Sequence, residues 1–164
     1  MKAVGLLTVF LAASAAGFIK ADTYKSEGRV LGGFIDLVYF IKREISSYLT
    51  PQYRIYEKFE NDTLEKIGFL NNLRDCAKDG SLSPMRSALE SCRDNIDGCL
   101  FSIMCDFSDG LGTMCVSEEI ERCERAIVRL EAQYKKKTEE INSKTRLCRS
   151  VGCIVGIGLA LLLW

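Results

Sequence analysis

Cysteine is the residue type in this sequence with the most chemistry to offer. The chain carries eight in 164 residues, and six of them, Cys76, Cys92, Cys99, Cys105, Cys115 and Cys123, fall in one central stretch. A thiolate can hold zinc, attack an electrophile or pair with another cysteine, and spacing helps to separate these uses. Zinc modules are built from close pairs such as C-x-x-C, whereas Cys92, Cys99 and Cys105 follow one another at intervals of seven and six, and Cys115 and Cys123 at eight. The chain has no histidine, which removes mixed metal sites and the Ser-His-Asp and Cys-His catalytic arrangements together. Gly-rich phosphate loops and the G-x-S-x-G elbow are absent as well. Paired carboxylates, Asp106 with Asp109 for instance, could do acid and base work, and they read more simply as loop and cap residues. The sequence therefore predicts no enzyme, no metal and no cofactor. Disulfide formation is the remaining use of the six central cysteines. Three bridges, with fifteen pairings open, would each contribute about 2 to 4 kcal/mol to a small body. Cys92 and Cys123 are expected to tie helix to helix, and Cys76 to reach the loop segment.

Three further features bear on compartment. Residues 1–21 open on Met1 and Lys2 and continue with an apolar, small-residue run from Ala3 to Gly17, the pattern of a secretory signal peptide. Asn61, Asp62 and Thr63 form an N-glycosylation sequon, which predicts a glycan on Asn61. The chain closes on VGCIVGIGLALLLW, fourteen apolar residues from Val151 with Arg146 and Arg149 before them. As a helix this tail covers about 21 Å, short of the roughly 30 Å hydrocarbon core. Behind a polar spacer it matches a glycosylphosphatidylinositol attachment signal, with Asn142 or Ser143 as acceptor and residues 144–164 removed. Removal would discard Cys148 and Cys153 and leave an even set of six. Retention as a short span is the other reading.

The elements that must position these groups are helical. Phe34, Leu37, Val38, Ile41, Ile45, Tyr48 and Leu49 recur at three- and four-residue spacing up to Pro51, with Lys42, Arg43 and Glu44 mostly off that face. A second helix is expected over Ile55 to Ala77, buried along Tyr56, Phe59, Thr63, Ile67, Leu70, Leu73 and Ala77, with Gly68 as a kink or close approach. Ser83 and Pro84 open a third, buried through Met85, Ala88, Leu89, Cys92 and Ile96 and ended by Gly98. A short buried helix follows over Cys99 to Phe107. Ser117, with Glu118 and Glu119 in the first turn, opens the last and longest. Its seam is Ile120, Cys123, Ile127, Leu130, Tyr134 and Ile141. Glu118 with Arg122, Glu121 with Arg125, Glu131 with Lys135 and Glu140 with Lys144 are placed for favourable i, i+4 pairs.

The predicted fold is thus all-α: a small disulfide-stapled bundle of four to five helices over residues 22–143, with a long C-terminal helix. Lys and Arg number 22 against 22 Asp and Glu, so no net charge draws the chain to nucleic acid. The function these features predict is a cell-surface interaction module, a ligand, co-receptor or adhesion factor on the extracellular face of the cell membrane. It would be held there by a lipid anchor or short span and would bind an extracellular protein. The alternative is a carrier of small hydrophobic molecules, with Phe34, Phe59, Phe69, Phe101, Phe107 and Met104 lining a pocket.

Overall fold

The computed structural model describes the backbone of residues 26–48 and 50–162, and the side chains of residues 26–48 and 50–140. The signal-peptide reading of residues 1–21 therefore lies outside the described residues. So do the side chains of Asn142, Ser143, Cys148 and Cys153. The chain divides into two compact units, Arg29–Lys135 and a second formed by Met1–Gly28 with Lys136–Trp164. In the second unit the described backbone is helical, and Lys137 is ion-paired with Glu27 at 2.8 Å.

Every regular element among the described residues is helical. They are α1 (residues 26–48), α2 (Gln52–Lys58), α3 (Asp62–Lys66), α4 (Phe69–Lys78), α5 (Pro84–Ser91), a 3-10 turn (Arg93–Asn95), α6 (Gly98–Ser108) and α7 (Val116–Leu162). There are more helices than the four or five expected, because the run from Ile55 to Ala77 is three helices. Phe59 leaves α2 in an extended conformation, and Asn61 starts α3 by accepting hydrogen bonds at its side-chain oxygen from the N–H of Thr63 and Leu64. Gly68, at φ 80°, then breaks the chain between α3 and α4. That left-handed conformation strains any residue with a Cβ, so this glycine is a hinge between helices and not a flaw inside one.

Ser83 and Pro84 start α5 where the sequence placed it, with proline in the first turn, but the Ser83 hydroxyl makes no capping hydrogen bond. Gly98, expected to end a helix, begins one. Asp97 caps α6 by accepting from the N–H of Cys99 and Leu100. The periodic residues do form the core. Phe34, Leu37, Val38 and Ile41 of α1, Leu70 and Leu73 of α4, Met85, Ala88 and Leu89 of α5, and Cys123, Ile127 and Leu130 of α7 are all buried. Phe34 meets Phe69 edge to face, with ring centroids 4.8 Å apart. Tyr48, placed on the same stripe by spacing, is 68% exposed.

The six central cysteines are unbridged: all are free thiols. The bundle is held by its apolar core and by cross-helix polar contacts, not by disulfide staples. Lys42 of α1 meets Glu124 of α7 at 2.8 Å, and the Tyr39 hydroxyl donates to Glu131 at 2.8 Å. Cys92, Cys105 and Cys123 act as small core hydrophobes, whereas Cys99 and Cys115 face solvent. Burial first, and the charge of Glu119 second, push the Cys123 thiol up to about 12, and burial also raises Cys105. Because the thiolate is the reactive species, brief iodoacetamide treatment of the native protein should label Cys99 and Cys115, spare Cys92, Cys105 and Cys123, and reach all of them only in denaturant. Peptide mass spectrometry reads the outcome, and bridged peptides before reduction would contradict it.

A polar cluster closes the α1–α2 junction. Glu44, assigned by spacing to the solvent side, is 5% exposed. Its Oε2 accepts from the Thr50 hydroxyl at 2.9 Å and from Lys58 at 3.2 Å. The Thr50 hydrogen bond foremost, with Lys58 adding and burial opposing, holds the Glu44 carboxyl below the usual carboxylate range. A carboxyl depressed in the folded state contributes stability above its unfolded pKa and loses it as pH falls through the folded value. Acidification from neutral to below the ordinary carboxylate range of about 4 to 4.5 should therefore lower the Tm of the native protein more than that of Glu44→Gln. Parallel Tm curves for the two proteins would remove Glu44 from the account.

Candidate functional site

The feature best suited to a role lies where α7 begins. Between α6 and α7 the chain runs through Gly110 at φ 80° and Gly112 at φ 87°, both left-handed. The left-handed backbone is what calls for glycine at 112; a Cβ there would also lie 2.9 Å from the Gln52 side-chain oxygen, which a rotation of that side chain relieves. Three side chains pin this loop. Arg86 of α5 donates to both carboxylate oxygens of Asp109 at 3.0 Å. Arg122 of α7 donates to the Asp109 carbonyl and contacts the Met114 sulfur. Glu119 of α7, only 4% exposed, accepts at Oε1 from the N–H of Gly112 at 2.7 Å and of Met114 at 3.3 Å.

Beside Glu119 lies a cavity of about 190 Å³. Ile41 and Ile45 of α1, Ile55 of α2, and Leu111, Met114 and Val116 form its aliphatic walls; Thr50, Gln52, Gly112 and Glu119 supply its polar lining. The other Glu119 oxygen, Oε2, is buried and has no hydrogen-bond partner among the described residues. Burial foremost, opposed by Gln52 and helped by the Glu119 charge, raises the pKa of the buried Tyr56 hydroxyl.

The residues singled out by sequence do not meet here. Phe34 and Phe69 pack on each other, Phe59 packs against Phe40, Met104 and Phe107 are buried, and Phe101 carries the Arg93 guanidinium at 4.6 Å. They fill or flank the core, and none of them lines the cavity beside Glu119. Asp106 and Asp109 each answer a different arginine, Arg129 and Arg86, both at 3.0 Å. Arg122 reaches the loop and not Glu118, and Glu131 takes Tyr39, while Glu121 does pair with Arg125. What spacing missed was Glu119. It lies on the true buried stripe of α7, with Cys123, Ala126, Ile127 and Leu130. An acid on an apolar stripe is a signal, but in a first helical turn it reads equally as a complement to the helix dipole.

The model of the stage III sporulation protein AB family matches residues 2–164. The chain belongs to that family. No curated protein and no solved structure matches it. Membership in the stage III sporulation protein AB family, a bacterial sporulation family, corrects the functional expectation. The protein is not an extracellular glycoprotein acting as ligand, co-receptor, adhesion factor or carrier at a cell surface, and the extracellular location falls with that reading. N-glycosylation at Asn61 and a glycosylphosphatidylinositol anchor at Asn142 or Ser143 belong to the eukaryotic secretory route, and neither they nor a cleaved signal are supported in a family of sporulation proteins. The sequon has a structural explanation instead. Asn61 is the cap of α3, at 3.0 and 3.1 Å from the two N–H groups it accepts, and its oxygen would stand 3.1 Å from a Cβ at Gly33. The family match takes in both apolar ends of the chain, from residue 2 and through residue 164.

Proposed function

We propose that the protein is a non-enzymatic component of spore formation at stage III, whose Arg29–Lys135 bundle binds another protein and whose apolar C-terminal segment contacts a membrane. The family match over residues 2–164 supports the place in spore formation. Several features support a binding role over catalysis. The chain has no histidine, and the carboxylates Asp106 and Asp109 are each held by an arginine. The cavity beside Glu119 is small and mostly aliphatic, suited to holding a side chain. The balance of 22 basic and 22 acidic residues offers nucleic acid no attraction.

The membrane part rests on the sequence from Val151 onward, where fourteen residues carry no charge and Arg146 and Arg149 stand just before them. No helix among the described residues is long and apolar enough to cross a membrane. Apolar residues at the end of a helix still gain by entering the acyl region, and basic residues before them favour an anionic surface. Flotation with vesicles containing phosphatidylglycerol tests this. The full chain should rise with the vesicles and a chain ending at Arg149 should stay behind, whereas equal sedimentation of both would remove the membrane from the reading.

A further inference from the structure

Both ends of this chain are apolar, and the contacts between α1 and α7 bear on how those ends meet. The two helices run antiparallel. Lys42 meets Glu124, Tyr39 meets Glu131 and Glu27 meets Lys137, so the position on α7 rises as that on α1 falls. Contacts of this kind set a register, because both helices rise by about 1.5 Å per residue. α7 continues without a break through Leu162, well past the last of these contacts. Carried forward, the register sets positions 148 to 156 of α7 opposite about positions 8 to 22 of the N-terminal segment.

We propose that the end of α7 is a docking face for the chain's own N-terminal segment, residues 3–19, which extends α1 upstream and packs antiparallel on Gly152 and Gly156. The inference rests on the membrane reading above and adds a partner within the same chain. Gly152 and Gly156 stand four apart on helical backbone, a G-x-x-x-G pattern that lets a second backbone approach closely. In lipid no hydrophobic drive brings helices together, and such close contact is what holds them. The N-terminal segment answers with Ala12 and Ala16, and with Ala13 and Gly17, small residues at the same spacing and inside the register just given. From Phe18 to Glu27 there is neither glycine nor proline to interrupt a helix on the way. The compact unit that holds the end of α7 is made of Met1–Gly28 and Lys136–Trp164 together.

A second copy of α7 is the rival occupant, since G-x-x-x-G also pairs identical helices. The segment within the chain has the advantage of tethering: joined to α1, it meets the face at an effective concentration of about millimolar, with no encounter between chains. As helices the two apolar runs cover about 25 and about 21 Å, each short of the roughly 30 Å hydrocarbon core. Paired, each gives the other an apolar face to lie against.

Cysteine cross-linking of the full chain in vesicles containing phosphatidylglycerol tests the pairing, with the native Cys148 and Cys153 as one half. Ala12→Cys, Ala13→Cys, Ser14→Cys, Ala15→Cys, Ala16→Cys and Gly17→Cys supply the other half, one at a time. After oxidation with copper phenanthroline, digestion and mass spectrometry identify the linked peptides. Linkage to Cys148 or Cys153 within one chain should be strong at positions three or four apart and about tenfold weaker between them, the pattern of one helical face. Linkage of Cys148 or Cys153 between two chains, in place of linkage within one, gives the face to a second copy and overturns the proposal. Equal linkage at all six positions, or none at any, overturns it too, since neither reports packing of one face. The native chain is floated with the same vesicles in parallel. Flotation without linkage removes this inference and leaves the membrane reading standing, whereas failure to float removes both.

Discussion

Phe34→Ala should be the most damaging single substitution in the bundle, costing about 3 to 5 kcal/mol, the range for emptying a buried aromatic site. Phe34 has no exposed surface and lies edge-on against Phe69, at 4.8 Å between centroids and 67° between planes. Its removal forfeits the transfer energy of the ring, the edge-to-face contact and the packing of the neighbours left facing a void. A domain of ordinary stability has about 5 to 15 kcal/mol in all, so the variant should melt about 10 to 20 °C lower. Thermal unfolding followed by far-ultraviolet circular dichroism measures the shift. Phe34→Leu should recover a substantial part of it by refilling the space. With all six central cysteines free, no bridge cushions the loss. A drop of a degree or two would mean that something other than this core holds the helices.

The second large effect is expected at Arg74. Its guanidinium reaches three places: Nη2 donates to the Phe59 carbonyl at 2.8 Å, Nε to the Tyr56 carbonyl at 3.4 Å, and Nη1 to Glu65 at 3.3 Å. Tyr56 and Phe59 lie at the end of α2, where carbonyls have lost their helical partners. Arg74 therefore closes α2 and ties α3 to α4 with one side chain. Hydrogen bonds from a charged donor are worth about 1.5 to 3 kcal/mol each when partly buried, and they are not additive here. Arg74→Ala should cost about 2 to 4 kcal/mol, by analogy with breaking a partly buried charged network. Arg74→Lys should recover only part, because an ammonium cannot span the fork. Urea denaturation with an unchanged m-value would show that the loss is stability and not a change in the unfolded state.

Much of this fold is legible in the sequence because its helices bury one face. The run Met85, Ala88, Leu89, Cys92 and Ile96 could be written down from spacing alone, and all five side chains are buried. The Ser83-Pro84 start of α5 has an equally local cause. The division of Ile55 to Ala77 into three helices was not legible, because the same apolar period continues through both breaks, the extended Phe59 before the Asn61 cap and the left-handed Gly68. Glu44 and Glu119 escaped for a different reason. Burial of a carboxylate depends on partners outside its own helix, Lys58 for one and the Gly112 and Met114 amides for the other, which helical periodicity does not mark. The cysteines misled most. Cysteine is equally at home as a small buried hydrophobe and as half of a bridge, and the choice depends on compartment. A sequon, an apolar start and an apolar end together pointed to the wrong compartment. Asn61 showed how: asparagine is a favoured N-cap, and a threonine two residues later completes a glycan motif by coincidence.

The central claim is that this chain serves spore formation at stage III without catalysing a reaction. It is tested most directly by deleting its coding sequence in the host and counting heat-resistant spores, with native, Phe34→Ala and Asp106→Asn copies returned. The account predicts loss of heat-resistant spores with cells halted at stage III, recovery with the native copy and with Asp106→Asn, and failure with Phe34→Ala. Undiminished spore counts in the deletion, or failure of the Asp106→Asn copy despite normal folding and abundance, would contradict it.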